Sequence, residues 1–521
     1  MKHTSPPKPT TSFAVKGMLG IVVVFLLVAV PRVTTLAGFP STDEGYYGFY
    51  AMRMAASLRD SHSLPADGFL MLYPLLTSWV FEIPLNPTLL LRAVDLFVSC
   101  AAALLLYVVL VRESGSAVAA ALISAIFLYA MNNFGFVQHG YKNSIFAAYV
   151  PLFLALILSQ SSKPVTASHF ALIGSLVAVG VLVREPFAPF GLVAVIATLI
   201  KYGRRQTAAL VLGALITSLL IVSALAWLRG GLWGIVDSYR EAGTMFQSVE
   251  GQRWEMFFKS LIGASKVSVW ALCLVGAASL LILMKGGKRP SPVYGRALFW
   301  LAIALLPLLE PASKIGFPYH FAAALPGLAG FCAHAWRVGL PHRQRAYAAV
   351  CLAALLCASS GPDTLRWMKA SPSALGSALS VLQSGWTLEQ HHASNYLLAA
   401  DLIGQQQDRP GTLATSGFMF ALYPLTGKLP VNGSLRDLTL AFIELNLDGD
   451  ALRRELIKSP PDTIMTTTRK EWPGAAEVQR AVEQTGLYRP IGTVTVDETR
   501  SYGTFGGTVY QRVEAGGAPL D

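Results

Sequence analysis

The chain is a succession of long apolar runs broken by short basic turns. The first run extends from Lys16 to Leu36. Others cover residues 90–111, 117–136, 142–160, 167–183, 186–200, 206–228, 265–284, 297–309, 318–336 and 346–359. Crossing a bilayer core takes roughly 20 apolar residues in a helix. Within lipid each span must satisfy its own backbone groups, which leaves the helix as the only solution for isolated runs of this kind. Only 14% of the residues are charged and 53% are hydrophobic, against nearer a quarter charged in a soluble domain. The sequence therefore reads as a polytopic α-helical membrane protein with about eleven transmembrane helices.

The net charge is +11, a balance that would also suit a nucleic-acid binder. The bases, however, cluster in short loops between apolar runs, as the positive-inside rule requires, so the expected partner is the lipid bilayer and no nucleic acid. Lys2, Lys8 and Lys16 place the N-terminus in the cytoplasm. No small-residue cleavage site follows the first run, which reads as an uncleaved anchor. Alternation from there brings Arg112, Lys163, the Lys201–Arg205 group, the Lys285–Arg296 group and the Arg337–Arg345 group to the inner face. Residues 69–85 are apolar but interrupted by Pro74 and Pro84; they read as dipping into the outer interface rather than spanning. The five cysteines, Cys100, Cys273, Cys332, Cys351 and Cys357, all lie in apolar runs and read as small core residues.

Past Ser360 the composition becomes that of a soluble protein. Helices are expected over 391–407, 451–458 and 475–484, and strands over 412–416, 462–466, 488–496 and 504–513. Residues 1–360 are thus expected to form a transmembrane module, with an outer loop over 37–89 and another over 229–262. Residues 361–521 are expected to form a small α/β domain. An odd number of spans places that domain outside. In a bacterium the protein would be a multi-pass protein of the inner membrane with a periplasmic C-terminal domain.

Directly after the first span comes Phe39-Pro-Ser-Thr-Asp43-Glu44-Gly-Tyr-Tyr-Gly-Phe-Tyr50, two adjacent carboxylates followed by tyrosines. The topology puts Arg184, Glu185, His139, Lys142, Glu310, Lys314, Tyr319 and His320 on the same outer rim. Singly, each reads equally well as an interfacial anchor. Arg184-Glu185 also reads as a turn whose charges pair, and Tyr319 as part of an aromatic belt. Collectively they outline a cavity for a substrate carrying an anionic group and hydroxyls. A carboxylate such as Asp43 can take the proton of an attacking alcohol, while Arg184 and Lys314 can meet a departing phosphate. The sequence has no HExxH, Walker or GxSxG pattern and no cysteine pair, so it supports neither a cofactor nor a divalent-metal site.

Thr42-Asp43-Glu44-Gly45-Tyr46-Tyr47 after a first span resembles the GT-C superfamily of membrane glycosyltransferases. The likeness is to the branch of the protein O-mannosyltransferases and lipid A aminoarabinose transferases. Leu91-Arg92 at a span opening, Leu182-Val183-Arg184, Tyr319 with Leu325-Pro326, and Leu422-Tyr423-Pro424-Leu-Thr-Gly427 match the same layout. The resemblance implies inverting transfer of a sugar from a polyprenyl-phosphate donor to an acceptor hydroxyl on the periplasmic face. Asp43 would be the general base with Glu44 beside it. Arg184 would hold the donor phosphate, helped by Lys314, and Tyr46, Tyr47, His139, Lys142, Tyr319 and His320 would line the substrate site. The acceptor would be a lipid-linked glycan, lipopolysaccharide or a protein. Two features of the branch are missing. Leu70-Met-Leu-Tyr73-Pro74 stands where a Lys-Pro-Pro loop is usual, and Lys142-Asn143 where a second aspartate is usual. The competing readings are a transporter or flippase of lipid-linked glycans, which needs mid-span charges and inverted repeats, and a non-enzymatic envelope assembly factor.

Overall fold

Asn86, Pro87 and Gly115 delimit the longest apolar helix of the bundle. The Asn86 side chain accepts the Leu89 amide, Pro87 occupies the first turn, and Gly115 closes the far end at φ 67°. These are the ordinary start and stop signals of a helix. The result is a helix over Pro87–Ser114 of 28 residues, about 42 Å at 1.5 Å per residue. The computed structural model describes residues 11–36, 42–60, 72–131, 144–160, 166–228, 231–236, 254–255, 257–258, 276–277, 291–309, 318–387, 394–404, 411–468, 474–496 and 506–513.

In chain order the first nine helices are α1 (Thr11–Thr35), α2 (Thr42–Asp60), α3 (Leu72–Thr77), α4 (Pro87–Ser114), α5 (Ala117–Met131), α6 (Ser144–Ser159), α7 (Ala167–Val183), α8 (Ala188–Tyr202) and α9 (Arg204–Leu228). Then come α10 (Ser291–Leu305), α11 (Leu325–Gly339) and α12 (His342–Ser384). Among the described residues, four helical stretches are long and apolar enough to cross a bilayer: Gly17–Thr34, Pro87–Ser114, Glu185–Tyr202 and Arg204–Leu228. Four more are apolar but shorter: Ala117–Met131, Ile145–Ser159, Ala167–Val183 and Val293–Leu308. Within its described residues, 72–85, the segment expected to dip into the interface forms the short helix α3 and a 3₁₀ helix over Ser78–Glu82. Most of the expected span over 265–284, and most of the loop over 229–262, lie outside the described residues.

The helices pack through small residues, as expected where lipid removes the hydrophobic drive between them. A Cβ on Gly174 of α7 would run into the Leu210 carbonyl of α9, and one on Gly213 of α9 into the Ala171 carbonyl of α7. Gly327 and Gly330 of α11 likewise lie on the α10 backbone near Ala304 and on the Trp300 ring. Between these crossings Tyr149, Phe127, Phe146, Phe153 and Trp300 fill the bundle centre. Cys100 and Cys332 are buried in this core, whereas Cys351 and Cys357 face outward from α12.

Helix α12 has 43 residues, about 64 Å, more than twice the ~30 Å hydrocarbon thickness. The last apolar run is its first part, and the helix continues through residue 361 without ending there. A sheet unit follows. Its strands are β1 (Leu413–Thr415), β2 (Thr463–Thr467), β3 (Tyr488–Val494) and β4 (Gly507–Arg512), in the order β1-β2-β4-β3. β1 is parallel to β2, with Leu413 opposite Thr463, and β4 is antiparallel to both β2 and β3. Helices α13 (Asn395–Gly404), α14 (Leu422–Thr426), α15 (Leu438–Glu444), α16 (Gly449–Lys458) and α17 (Ala475–Gln484) complete it. Alternation along the strands sorts the two faces. Ala414, Ile464 and Tyr510 pack on α16 and α17 through Leu452, Leu456 and Val478. Leu413, Met465 and Val509 face the other way and join Tyr396 and Ile403 of α13. This second cluster extends into the bundle, through Phe49 and Tyr50 of α2 and Leu225 of α9.

A candidate active site at one end of the bundle

Helix α2 starts at Thr42, so Asp43 and Glu44 lie in its first turn, where the exposed amides and the helix dipole favour carboxylates. Glu44 is buried and meets Arg92 of α4. Arg92 Nε donates to Glu44 Oε1 at 2.5 Å and Nη2 to Oε2 at 2.7 Å. Its third nitrogen, Nη1, donates to the Leu36 carbonyl at 2.7 Å. Both side chains are 3% exposed. A paired fork of this geometry is what makes a buried charge pair tolerable. It also ties the ends of α1, α2 and α4 to one point.

Three residues further along α4, hence on the same face, the buried Asp95 carboxylate takes Nη1 of Arg32 from α1. The Arg32 guanidinium also lies over the Phe146 ring of α6, 4.9 Å from its centroid. Neither Arg32 nor Asp95 stands out by motif. The usable signal is a single charge inside an otherwise apolar run, which rarely occurs without a partner.

Arg184 comes from the turn between α7 and α8. Pro186 at the start of the 3₁₀ turn Glu185–Phe187 prevents α7 from continuing. Arg184 Nη1 lies 3.5 Å from the Tyr47 hydroxyl. Tyr47 is four residues after Asp43, so Arg184 reaches α2 one helical turn, about 5.4 Å, from residue 43 and on the same helix face. Glu185 is exposed. Tyr149 of α6 links this turn to another. Its ring meets Phe187 edge-on, 5.2 Å between centroids, and its hydroxyl donates to the Ala322 carbonyl at 2.7 Å. Ala322 belongs to the 3₁₀ segment Pro318–Ala324, which carries Tyr319 and His320. The structure therefore gathers Glu44, Tyr46, Tyr47, Arg184 and the backbone of 319–320 at the end of the bundle where α1 finishes and α2, α4, α6, α8 and α11 begin. His139, Lys142, Glu310 and Lys314 lie outside the described residues.

The sheet unit closes on the same helix. A Cβ on Gly45 would collide with the backbone of Ala421, and Gly48 lies against Pro424. The glycines of the motif thus let α2 lie directly on the segment 418–427. Tyr46 packs edge-on against Phe420 at 5.2 Å, and Phe49 meets Tyr423 at 4.5 Å. Burial, aided by Tyr50, pushes the Tyr46 hydroxyl well above its ordinary pKa, so it stays protonated. Asp437 supports this segment from behind. One carboxylate oxygen accepts the amides of Thr439 and Leu440 and the other that of Phe418. Complete burial nevertheless raises its pKa to about 6.

Among the described residues no group of three or more His, Cys, Asp or Glu side chains is arranged to hold a metal ion. Chemically, the assembled end offers a carboxylate-bearing helix start, a guanidinium one turn along, and aromatic walls.

No family model matches the chain, and no curated protein matches it in sequence. Its fold is nevertheless that of a solved structure, ArnT from Cupriavidus metallidurans bound to undecaprenyl phosphate. That likeness covers 98% of this chain and 100% of the other, with a TM-score of 0.58 at 14% identity. The Archaeoglobus fulgidus oligosaccharyltransferase, solved with Zn and sulfate, is similar at a TM-score of 0.44 and 12% identity, over 94% of this chain and 72% of the other.

Proposed function

With the GT-C fold as its frame, we propose that this chain is a membrane glycosyltransferase that moves a sugar from a polyprenyl-phosphate donor to an acceptor hydroxyl, with inversion. The observation that carries the reading is Arg184 beside Tyr47, one turn from Asp43, at the bundle end where the acidic motif begins α2. In this reading Asp43 accepts the proton of the acceptor hydroxyl. The freed oxygen pair forms the new bond to the anomeric carbon from the face opposite the departing phosphate. The bond from that carbon to the phosphate oxygen breaks, and its electron pair leaves with the prenyl phosphate. Arg184 offsets the charge gathering on that phosphate, as an oriented cation does at a developing anion. Lys314 adds a second cation.

Glu44 has a different part in this scheme. Both of its oxygens are committed to Arg92, so it sets the position of the helix start and leaves the proton transfer to Asp43. Tyr46, Tyr47, His139, Lys142, Tyr319 and His320 border the substrate. In this reading an odd number of spans puts the site and the sheet unit, within residues 361–521, on the periplasmic face of a bacterial inner membrane. The likeness to a protein holding undecaprenyl phosphate supports a lipid-linked donor; the acceptor is a lipid-linked glycan, lipopolysaccharide or a protein.

The deciding experiment purifies the Asp43→Asn variant and measures sugar transfer from a radiolabelled polyprenyl-phosphate sugar. The expected result is loss of at least about a hundredfold, the lower range for a missing general base, with unaltered thermal unfolding and with donor lipid still co-purifying. Transfer at the wild-type rate would end the assignment.

A further inference from the structure

The opposite end of the bundle is also built, and the proposed reaction makes no use of it. Glu113, in the last turn of α4, accepts Arg296 Nη2 at 2.7 Å and Nε at 3.0 Å, and stands 2.8 Å from His334 Nδ1. His334 Nε2 is 3.1 Å from the Val293 carbonyl. Helices α4, α10 and α11 are thereby fixed together, and Arg296 is held in one orientation beneath the rings of Phe299 and Trp300.

Arg296 of α10 and Lys201 of α8 both line a cleft between α6, α7, α8, α9 and α10. Lys201 is exposed at the surface, its Nζ 4.8 Å from the Tyr202 ring centroid. The interior is apolar, with Phe170, Ile173 and Phe190 among its walls. It encloses about 70 Å³, well below the ~300–1,000 Å³ of a site for a compact drug-sized ligand. A sugar or nucleotide does not fit such a space, whereas a stretch of unbranched hydrocarbon does. Arg204 and Arg205 follow immediately at the start of α9. An apolar slot lined by two basic side chains, at the basic end of a membrane bundle, matches a molecule with one hydrocarbon tail in the wall and an anionic head at the water boundary.

We propose that this cleft binds an anionic phospholipid of the leaflet facing the basic loops, with its phosphate between Lys201 and Arg296 and one acyl chain along Phe170, Ile173 and Phe190. The site is separate from the sugar-transfer centre. It depends on the orientation of the bundle and not on the chemistry proposed at the other end.

The test reconstitutes the full chain in nanodiscs containing equal phosphatidylglycerol and phosphatidylcholine, then counts lipids retained on release by native mass spectrometry. The wild type should keep one phosphatidylglycerol in strong preference to phosphatidylcholine. Lys201→Glu, at an exposed position, should lower that retention about tenfold or more, given the attraction each base exerts on anionic lipid. Ala197→Trp, which narrows the cleft, should remove bound lipid of either head group. Inorganic phosphate added without lipid should not replace the effect. Equal retention of the two lipids, retention unchanged in Lys201→Glu, or full substitution by inorganic phosphate would each overturn the proposal. Sugar transfer by Lys201→Glu, measured in parallel, reports folding and keeps this outcome distinct from failure of the glycosyltransferase reading.

Discussion

Breaking the Glu44–Arg92 fork gives the sharpest test of how the acidic end is held together. Both side chains are 3% exposed, and three donors of one guanidinium are committed to Glu44 and Leu36. Replacing Glu44 with Gln leaves a buried guanidinium without its counter-charge, a change that costs about 3–5 kcal/mol in comparable sites. Replacing Arg92 with Met strands the carboxylate and costs a similar amount. The double variant removes both charges together, so it should be less damaged than the sum of the two, with a coupling of at least about 2 kcal/mol. At about 2–4 °C per kcal/mol for a unit of roughly 150–250 residues, each single change lowers the unfolding midpoint by on the order of 10 °C. The assay is thermal unfolding of the purified protein in one detergent, as a four-member cycle. Asp43→Asn run beside it should lower the midpoint by less than either single change in the fork. Coupling below about 0.5 kcal/mol, the usual margin of additivity, would refute the fork as the element that fixes the start of α2.

Three other outcomes are expected. Gly45→Ala should push α2 off the Ala421 backbone, at about 1–3 kcal/mol of overpacking, and make the segment 418–427 susceptible to limited proteolysis. Arg184→Ala should lower kcat/KM for the prenyl-phosphate donor by roughly 10–150-fold, the loss of one charge-assisted hydrogen bond, and Arg184→Lys should restore part of it. The third concerns pH. The folded protein holds the Asp437 proton up to about pH 6, whereas its unfolded value is the ordinary 3.8. The folded state therefore binds more protons in that window, and stability falls as pH rises from about 4 to 6, by up to about 3 kcal/mol. Asp437→Asn should flatten that slope in denaturant titrations; an unchanged slope would mean another group is responsible.

Eight of the apolar runs, as helices among the described residues, and the strands of the tail were legible along the chain. The run over 167–183 is α7, with the same bounds as the helix, and residues 475–484 are α17. Helix α12 runs past its expected end, through residue 361 to Ser384, and its later turns pack on α4 through Ala378, Val381 and Leu89. At the candidate site the acidic motif and Arg184 were visible because they interrupt apolar sequence. The different fate of the two neighbouring carboxylates was not.

The sequence alone determined that this chain must live in a bilayer as helices, because hydrocarbon allows isolated apolar runs no other way of satisfying their backbones. It also marked which end gathers acids and which gathers bases, since charge tolerates only the span ends. Tertiary structure decided the pairings: Glu44 with Arg92, Arg32 with Asp95, and Gly45 against Ala421. Those partners lie 48, 63 and several hundred residues apart. Such contacts depend on how helices cross in space, and no local pattern of residue types encodes that distance.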